Sequence, residues 1–234
     1  MVSCGMLALA DRVLTGGEAA RLLALVEAYL DPEEQDLWMD IVCDKGALEA
    51  HFEHMKPPPE SNHLAVLERV WNVALADGDA ALAEIRVFEQ IGGRLGVATS
   101  QLAVLRKTWT YEAMERSEVI AGFMAILMSA GGEGPSDAER EAFAALVARL
   151  PLSKSRRERM IEALDEPPEV AALGQMLRRQ SKSHQLDALR SIAMEIKDER
   201  RAAARERMIE LIAAARMPAS VIGDLRGLSE SAAS

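Results

Sequence analysis

The sequence predicts an all-α protein, a helical bundle built from helix-turn-helix pairs, and three observations carry that prediction. Apolar residues recur at spacings of three and four, as in Leu64, Leu67, Val70, Trp71, Val73 and Ala74, or Phe143, Leu146, Val147 and Leu150. This is the period of a helix buried on one face. Ala, Leu, Glu, Arg and Met dominate, and alternating runs of Val, Ile, Thr and aromatic residues are absent, so intrinsic propensity agrees with the pattern. Prolines fall between the periodic segments, at Pro32, Pro57 to Pro59, Pro135, Pro151, Pro167, Pro168 and Pro218, where they end or open helices without interrupting them.

In chain order, a first hairpin is expected over residues 6–30, turning at Ala10 and Asp11. Asp31 and Pro32 open the next helix, with Glu33 and Glu34 favourable in its first turn. A second hairpin over 67–95 turns at Ala76-Asp77-Gly78, and a third over 126–150 turns at Gly131-Gly132. The helix after that turn opens on a capping box, Ser136-Asp-Ala-Glu139, in which the serine accepts from a free amide and the glutamate reaches back to the cap. A fourth hairpin over 186–215 turns at Glu195-Ile-Lys-Asp198, and residues 227–234 read as a frayed tail. Asp11 and Asp77 stand 66 residues apart, as do Gly131 and Lys197. Four hairpins in two similarly spaced pairs, offset by about 120 residues, predict two tandem copies of one helical domain, over 1–115 and 116–226. One continuous array of four hairpins is the alternative.

Composition narrows the function classes. Cys4 and Cys43 are the only cysteines and lie far apart, so there is neither a disulfide framework nor a thiolate zinc site, and a reducing, cytoplasmic setting is expected. No apolar run reaches the roughly 18 residues of a membrane span, and the opening segment lacks the basic region and length of a secretory signal. Residues 1–115 hold 9 Lys and Arg against 19 Asp and Glu, whereas the rest hold 18 of each. An acidic half is suited to cations or a basic protein surface and poorly suited to nucleic acid. The second half has basic clusters at Lys154, Arg156, Arg157 and Arg159, at Arg178, Arg179 and Lys182, and at Arg200, Arg201, Arg205 and Arg207. Carboxylates interleave with them at helical spacing, which predicts ion-paired solvated faces.

The segment VALADGDAALAEIRVFEQIGGRLGV resembles the tellurite-resistance TerB family, whose helical domain carries two helix-turn-helix units with an Ala-Asp-Gly turn and a glutamate seven residues after the aspartate. Those positions here are Asp77, Gly78 and Glu84. AILMSAGGEGPSDAEREAFAALVARLPLS looks like the family's first unit with glycine in place of the aspartate. The resemblance covers about residues 6–225. It implies a non-enzymatic module linked to chemical stress, phage defence, metal-ion sensing or complexes at the inner face of a membrane. The His-Pro-Asp tripeptide of a co-chaperone J domain is absent.

Asp77, Asp79 and Glu84 are the first candidate site. Asp77 is expected at the carboxyl end of a helix, where its charge opposes the macrodipole by roughly 0.3–1 kcal/mol. Gly78 supplies a left-handed turn, Asp79 is placed to cap the following helix, and Glu84 falls in that helix's second turn. A divalent cation (calcium, magnesium, manganese or zinc) bridging the carboxylates would offset the penalty at Asp77. The competing reading is an interhelical turn with solvated carboxylates. His51, His54 and His63 form a second candidate, since imidazoles three apart on a helix share a face and can bind zinc or nickel. A di-iron bundle site needs two ExxH units, and this chain has one, Glu60 to His63. A polar helix end before a proline-rich loop is the simpler account of these histidines.

No GxSxG, glycine-rich phosphate loop or HExxH is present, so no enzyme is expected. The partners expected are proteins, a membrane-associated complex among them, without direct membrane insertion or nucleic-acid binding; a homo-oligomer remains open. Met124, Met128, Met160, Met176, Met194 and Met208 are expected to fill the core. Trp38, Trp71 and Trp109 are expected to anchor packing. An adaptor that presents apolar grooves to a partner helix is the runner-up function, and a histidine-based metalloenzyme is the third.

Overall fold

The computed structural model describes residues 2–10, 19, 22–24, 26–27, 30–130, 134–196 and 200–225, with Cys43 and Asp77 described by their backbone alone. Among these residues the chain forms eleven α-helices and three short 3-10 turns, with no strand. The all-α class is therefore as expected. No helix among them is long and apolar enough to cross a membrane. The expected turns at Asp11, Gly131-Gly132 and Lys197-Asp198, and the tail at 227–234, lie outside the described residues. The chain divides into two compact units, Met1–Ala113 and Met114–Ser234.

In the first unit, α1 (Val2–Ala8) carries no charged residue and only one polar one, Ser3, and every residue of it is buried, as a helix without a polar face must be. It packs against α2 (Pro32–Cys43), α3 (Lys45–His54), α4 (His63–Ala74) and α5 (Leu82–Arg94). Local chemistry fixes the ends of these helices. Pro32 opens α2 with Glu33 and Glu34 in its first turn, and the Asp44 carboxylate accepts from the Ala47 amide at 2.8 Å to cap α3. Leu48 and Phe52 are one turn apart on the buried face of α3, while α4 buries Leu67, Val70, Trp71, Val73 and Ala74. The long helix α6 (Thr99–Ser129) follows. Both the division at Ala113 and the boundary expected at residue 115 fall inside it, and no proline or glycine stands at either position or within five residues of it.

Aromatic packing gives the first unit its centre. The Trp71 ring lies 5.0 Å from that of Phe88 between centroids, and Phe88 meets Trp109 edge-on at 6.4 Å. Both geometries suit aromatic quadrupoles. The Trp71 Nε1–H, which burial would otherwise leave unsatisfied, donates to Thr110 Oγ1 at 2.9 Å. Trp71 and Trp109 are thus packing anchors, and Trp38 packs at the margin of the same core.

In the second unit, residues 119–125 of α6 are buried on all sides, as α1 is in the first. Around them lie α7 (Asp137–Arg149), α8 (Lys154–Glu162), α9 (Val170–Arg178), α10 (Lys182–Glu195) and α11 (Arg201–Ala214). The core is aliphatic and methionine-rich, with Phe123 and Phe143 as its aromatic members. Met124 and Met208 are buried, and Met128, Met160 and Met176 pack against the core. Met194, expected inside, is instead 86% exposed, because α10 turns its Ala188, Leu189, Ile192 and Ala193 face inward.

Some buried positions of the two units recur at similar spacings. Val2, Gly5 and Ala8 have Val119, Gly122 and Ala125 117 residues later. A Cβ on Gly5 would stand 3.0 Å from both Leu48 methyl carbons, and one on Gly122 would stand 2.9 Å from a Leu173 methyl carbon. In each unit, glycine on the central helix lets a leucine of a neighbouring helix approach closely. Leu48 and Phe52 have buried Leu173 and Leu177 125 residues on. Val70, Trp71 and Ala74 have Ala188, Leu189 and Ile192 at 118, and Phe88 and Ile91 have Met208 and Leu211 at 120.

Candidate functional site

The Ala-Asp-Gly turn joins α4 to α5. α4 tightens into a 3-10 turn, Leu75–Asp77, and the chain reverses at Gly78, whose φ of +95° is open to glycine with no Cβ penalty. Asp77 therefore lies where expected, at the carboxyl end of a helical segment, and the turn is left-handed as expected. The following helix starts later than expected. Its N-cap is Ala81, so Asp79 stands outside the helix and does not cap it, and Glu84 falls at the third position of the first turn instead of in the second.

That register decides what Glu84 does. Its carboxylate folds back to accept from the Ala81 backbone N–H, one of the amides a helix start leaves without a partner. The side chain is 6% exposed, and its charge lies at the favourable end of the α5 dipole. Ala81 has no side-chain oxygen, so the first unit carries half a capping box. Asp79 is exposed, and Leu82, the first residue of α5, is 76% exposed. The turn thus exposes both a carboxylate and, three residues on, a large apolar side chain, while Glu84 accepts from the backbone.

At the start of α7, the second unit completes the box. Ser136 Oγ accepts from the Glu139 amide, and the Glu139 carboxylate accepts from the Ser136 N–H at 2.8 Å. Arg200 joins them, paired with Glu139 and donating to the Leu127 carbonyl at 2.7 Å. Glu139 lies seven residues beyond Gly132, the interval that separates Glu84 from Asp77. The shared glutamate is a helix cap in both places.

The structure does not gather His51, His54 and His63 into one site. His54 Nδ1–H donates to the Ala50 carbonyl within α3 at 2.8 Å, and His63 Nε2–H donates to the Pro58 carbonyl at 2.9 Å. The His51 ring lies 5.8 Å from that of Trp38. The reason is the chain between them: α3 stops at His54, and Pro57 to Pro59 separate it from the helix that His63 opens. Arg94 closes the end of α3 by donating to the Glu53 and Met55 carbonyls at 3.0 and 2.8 Å, with its guanidinium over the Phe52 ring. The histidine segment is a helix terminus and a linker, and the array a histidine-based metalloenzyme needs is not assembled. Among the described residues of either unit taken by itself, no three His, Cys, Asp or Glu side chains bring ligand atoms within 4.8 Å of one another.

Several cations of the first and third basic clusters are ion-paired. Arg156 and Arg159 reach Glu118 at 3.1 and 3.3 Å, and Arg207 reaches Glu210 at 2.9 Å. Arg157 approaches the Leu150 carbonyl.

One feature of the first unit was missed from sequence. A cavity of about 220 Å³ opens between α1, α4 and the segment after α3. The buried Ser3 and Cys4 line it, as do Lys56 and Arg69. Its one legible signal is that cations are scarce in residues 1–115. In comparisons with known proteins, no family model, curated protein or solved structure matches this chain.

Proposed function

We propose that this protein is a non-enzymatic, TerB-like module made of two tandem helical copies, and that its acidic first copy engages a basic protein surface at the α4–α5 turn. A stress-response role of the tellurite-resistance kind is what the resemblance contributes to this reading. The tandem arrangement is supported by the buried positions that recur 117 to 125 residues apart and by the glutamate cap common to both copies. The observation that carries the docking reading is the turn itself. Glu84 is folded onto the backbone while Asp79 and Leu82, three residues apart at the same turn, are both exposed in an acidic unit. A carboxylate beside an apolar side chain fits a basic amphipathic helix of a partner, with charge steering the encounter.

A divalent cation at Asp77 and Asp79 is the second reading. It is favoured by the position of Asp77 at a helical carboxyl end, where a cation would offset the dipole. Titration calorimetry of the metal-stripped protein separates the two. A Lys/Leu amphipathic helical peptide is expected to bind, and Asp79→Lys with Leu82→Ser to weaken it by about tenfold or more. Absence of peptide binding, or indifference to the double variant, overturns the docking reading. Saturable binding of calcium, magnesium, manganese or zinc that Asp77→Ala abolishes would put the cation reading in its place.

A further inference from the structure

We propose that this protein self-associates, with the acidic outer face of α2 in one copy docked on the basic corner between α9 and α10 of a second copy. The sequence carries two uninterrupted blocks of opposite charge. Residues 22–44 hold seven acidic side chains and no Lys or Arg, and residues 170–186 hold Arg178, Arg179 and Lys182 and no Asp or Glu. Each block is displayed at the surface of its own unit. Glu33, Glu34, Asp36 and Asp40 are exposed on α2, and Arg178, Arg179 and Lys182 are exposed where α9 gives way to α10.

The apolar content of the two faces matches as well. Asp36, Leu37 and Asp40 follow Glu33 at three, four and seven positions, so all four share one side of α2 over about 10 Å. Leu37, in the middle of that stripe, is 62% exposed. α9 turns Leu173, Gly174 and Leu177 inward and leaves Ala171, Ala172 and Gln175 exposed beside its arginines. A leucine flanked by carboxylates can seat on such a face, its methyl groups leaving water over the alanines while the charges pair at the edge. Charge complementarity names the occupant: the chain itself supplies the acidic helix and the basic corner in equal number, so a second copy answers both blocks. Each exposed ion pair contributes little, which makes the association weak and strongly dependent on salt. The contact does not use the α4–α5 turn, so it stands or falls separately from docking there.

The test is sedimentation velocity of the full chain against protein concentration and salt. At about 20 mM salt the average mass is expected to rise with concentration, and at about 300 mM to return to that of the monomer. Asp36→Lys with Asp40→Lys, and separately Arg179→Glu with Lys182→Glu, are each expected to weaken association about tenfold or more, and an equal mixture of the two variants to restore it. The acidic-face variant is the stringent one. It moves the net charge of −10 toward zero, so general charge repulsion alone would predict stronger association. Zero-length carbodiimide coupling is expected to join Lys182 to Asp36 or Asp40 in the dimer band only. A parent that stays monomeric at low salt overturns the proposal, as does a mixture of the two variants, both folded by circular dichroism, that does not recover association. The Lys182 link within the monomer band would assign the contact to one chain. Flotation of a monomeric parent with phosphatidylglycerol vesicles, lost in Arg179→Glu with Lys182→Glu, would assign the corner to an anionic membrane surface, and either result overturns docking on a second copy.

Discussion

The two units bury small and apolar residues at similar spacings and differ in what surrounds them. The first is centred on Trp71, Phe88 and Trp109 and holds 9 basic against 18 acidic side chains; the second is centred on leucine, isoleucine, methionine and two phenylalanines and holds 18 against 19. In the second, arginines pair with acids elsewhere in the unit, Arg156 and Arg159 with Glu118, Arg140 with Asp165 and Arg149 with Glu195. A balanced unit can neutralise its charges internally, whereas an acidic one keeps net negative charge that solvent, ions or a partner must answer. The difference teaches that helical cores with similarly spaced small and apolar residues are compatible with surfaces of different charge, because core packing depends on the buried residues and not on the charges outside them.

The largest expected effects come from the cores. Phe88→Ala and Phe143→Ala each remove a ring that is at most 1% exposed and are each expected to cost about 3–5 kcal/mol in denaturant unfolding. The readouts differ. All three tryptophans lie in the first unit, so tryptophan emission follows Phe88→Ala, while Phe143→Ala must be read by helical circular dichroism. A loss below about 1 kcal/mol for Phe143→Ala would break the idea that the two cores are equally packed.

Next come the central glycines. Gly122→Ala presses on Leu173 and on the stiff Pro168 ring, whereas Gly5→Ala meets only the flexible end of Leu48 at its closest. The expected losses are about 2 kcal/mol and about 1 kcal/mol, read from urea midpoints. The reverse order would show that the first unit's central helix is the more tightly held.

The caps offer a gain as well as a loss. Ala81→Ser supplies the oxygen that Ser136 already gives the second unit, and is expected to stabilise by about 0.5–1 kcal/mol. Glu84→Ala is expected to cost about 1–2 kcal/mol, equally with and without divalent cations; a cation-dependent loss would make Glu84 a ligand.

The smallest effect concerns Asp165, whose hydrogen bond from Arg140 holds its carboxyl below the usual carboxylate range. A depressed folded-state value means that the pair contributes above the unfolded value and that its contribution is lost as pH falls through the folded one. Both side chains are exposed, so the effect is slight. NMR titration of Asp165 should move toward the ordinary value in Arg140→Gln, and no change would remove the pair from the account.

Much of this was legible in the chain. The helical class, Pro32 at a helix start, the capping box at Ser136 and the left-handed Gly78 all depend on residues within one turn of one another. The same locality explains the misses. Nothing near Ala81 in sequence announces a helix starting there and not at Asp79; the start is chosen by burial of Glu84, Phe88 and Ile91 on one face. His51, His54 and His63 are close in sequence, but helix phase and three prolines part them.

The sequence by itself determined the helical class, the helix starts at Pro32 and after Ser136, and that the negative charge belongs to the first half. Only the tertiary structure decided that α1 and residues 119–125 are buried on every side, that Glu84 faces its own backbone, and that Ser3, Cys4, Lys56 and Arg69 share a cavity. Periodicity and capping act over three or four residues, whereas these outcomes join positions from one turn to more than sixty residues apart, brought together only when apolar faces pack.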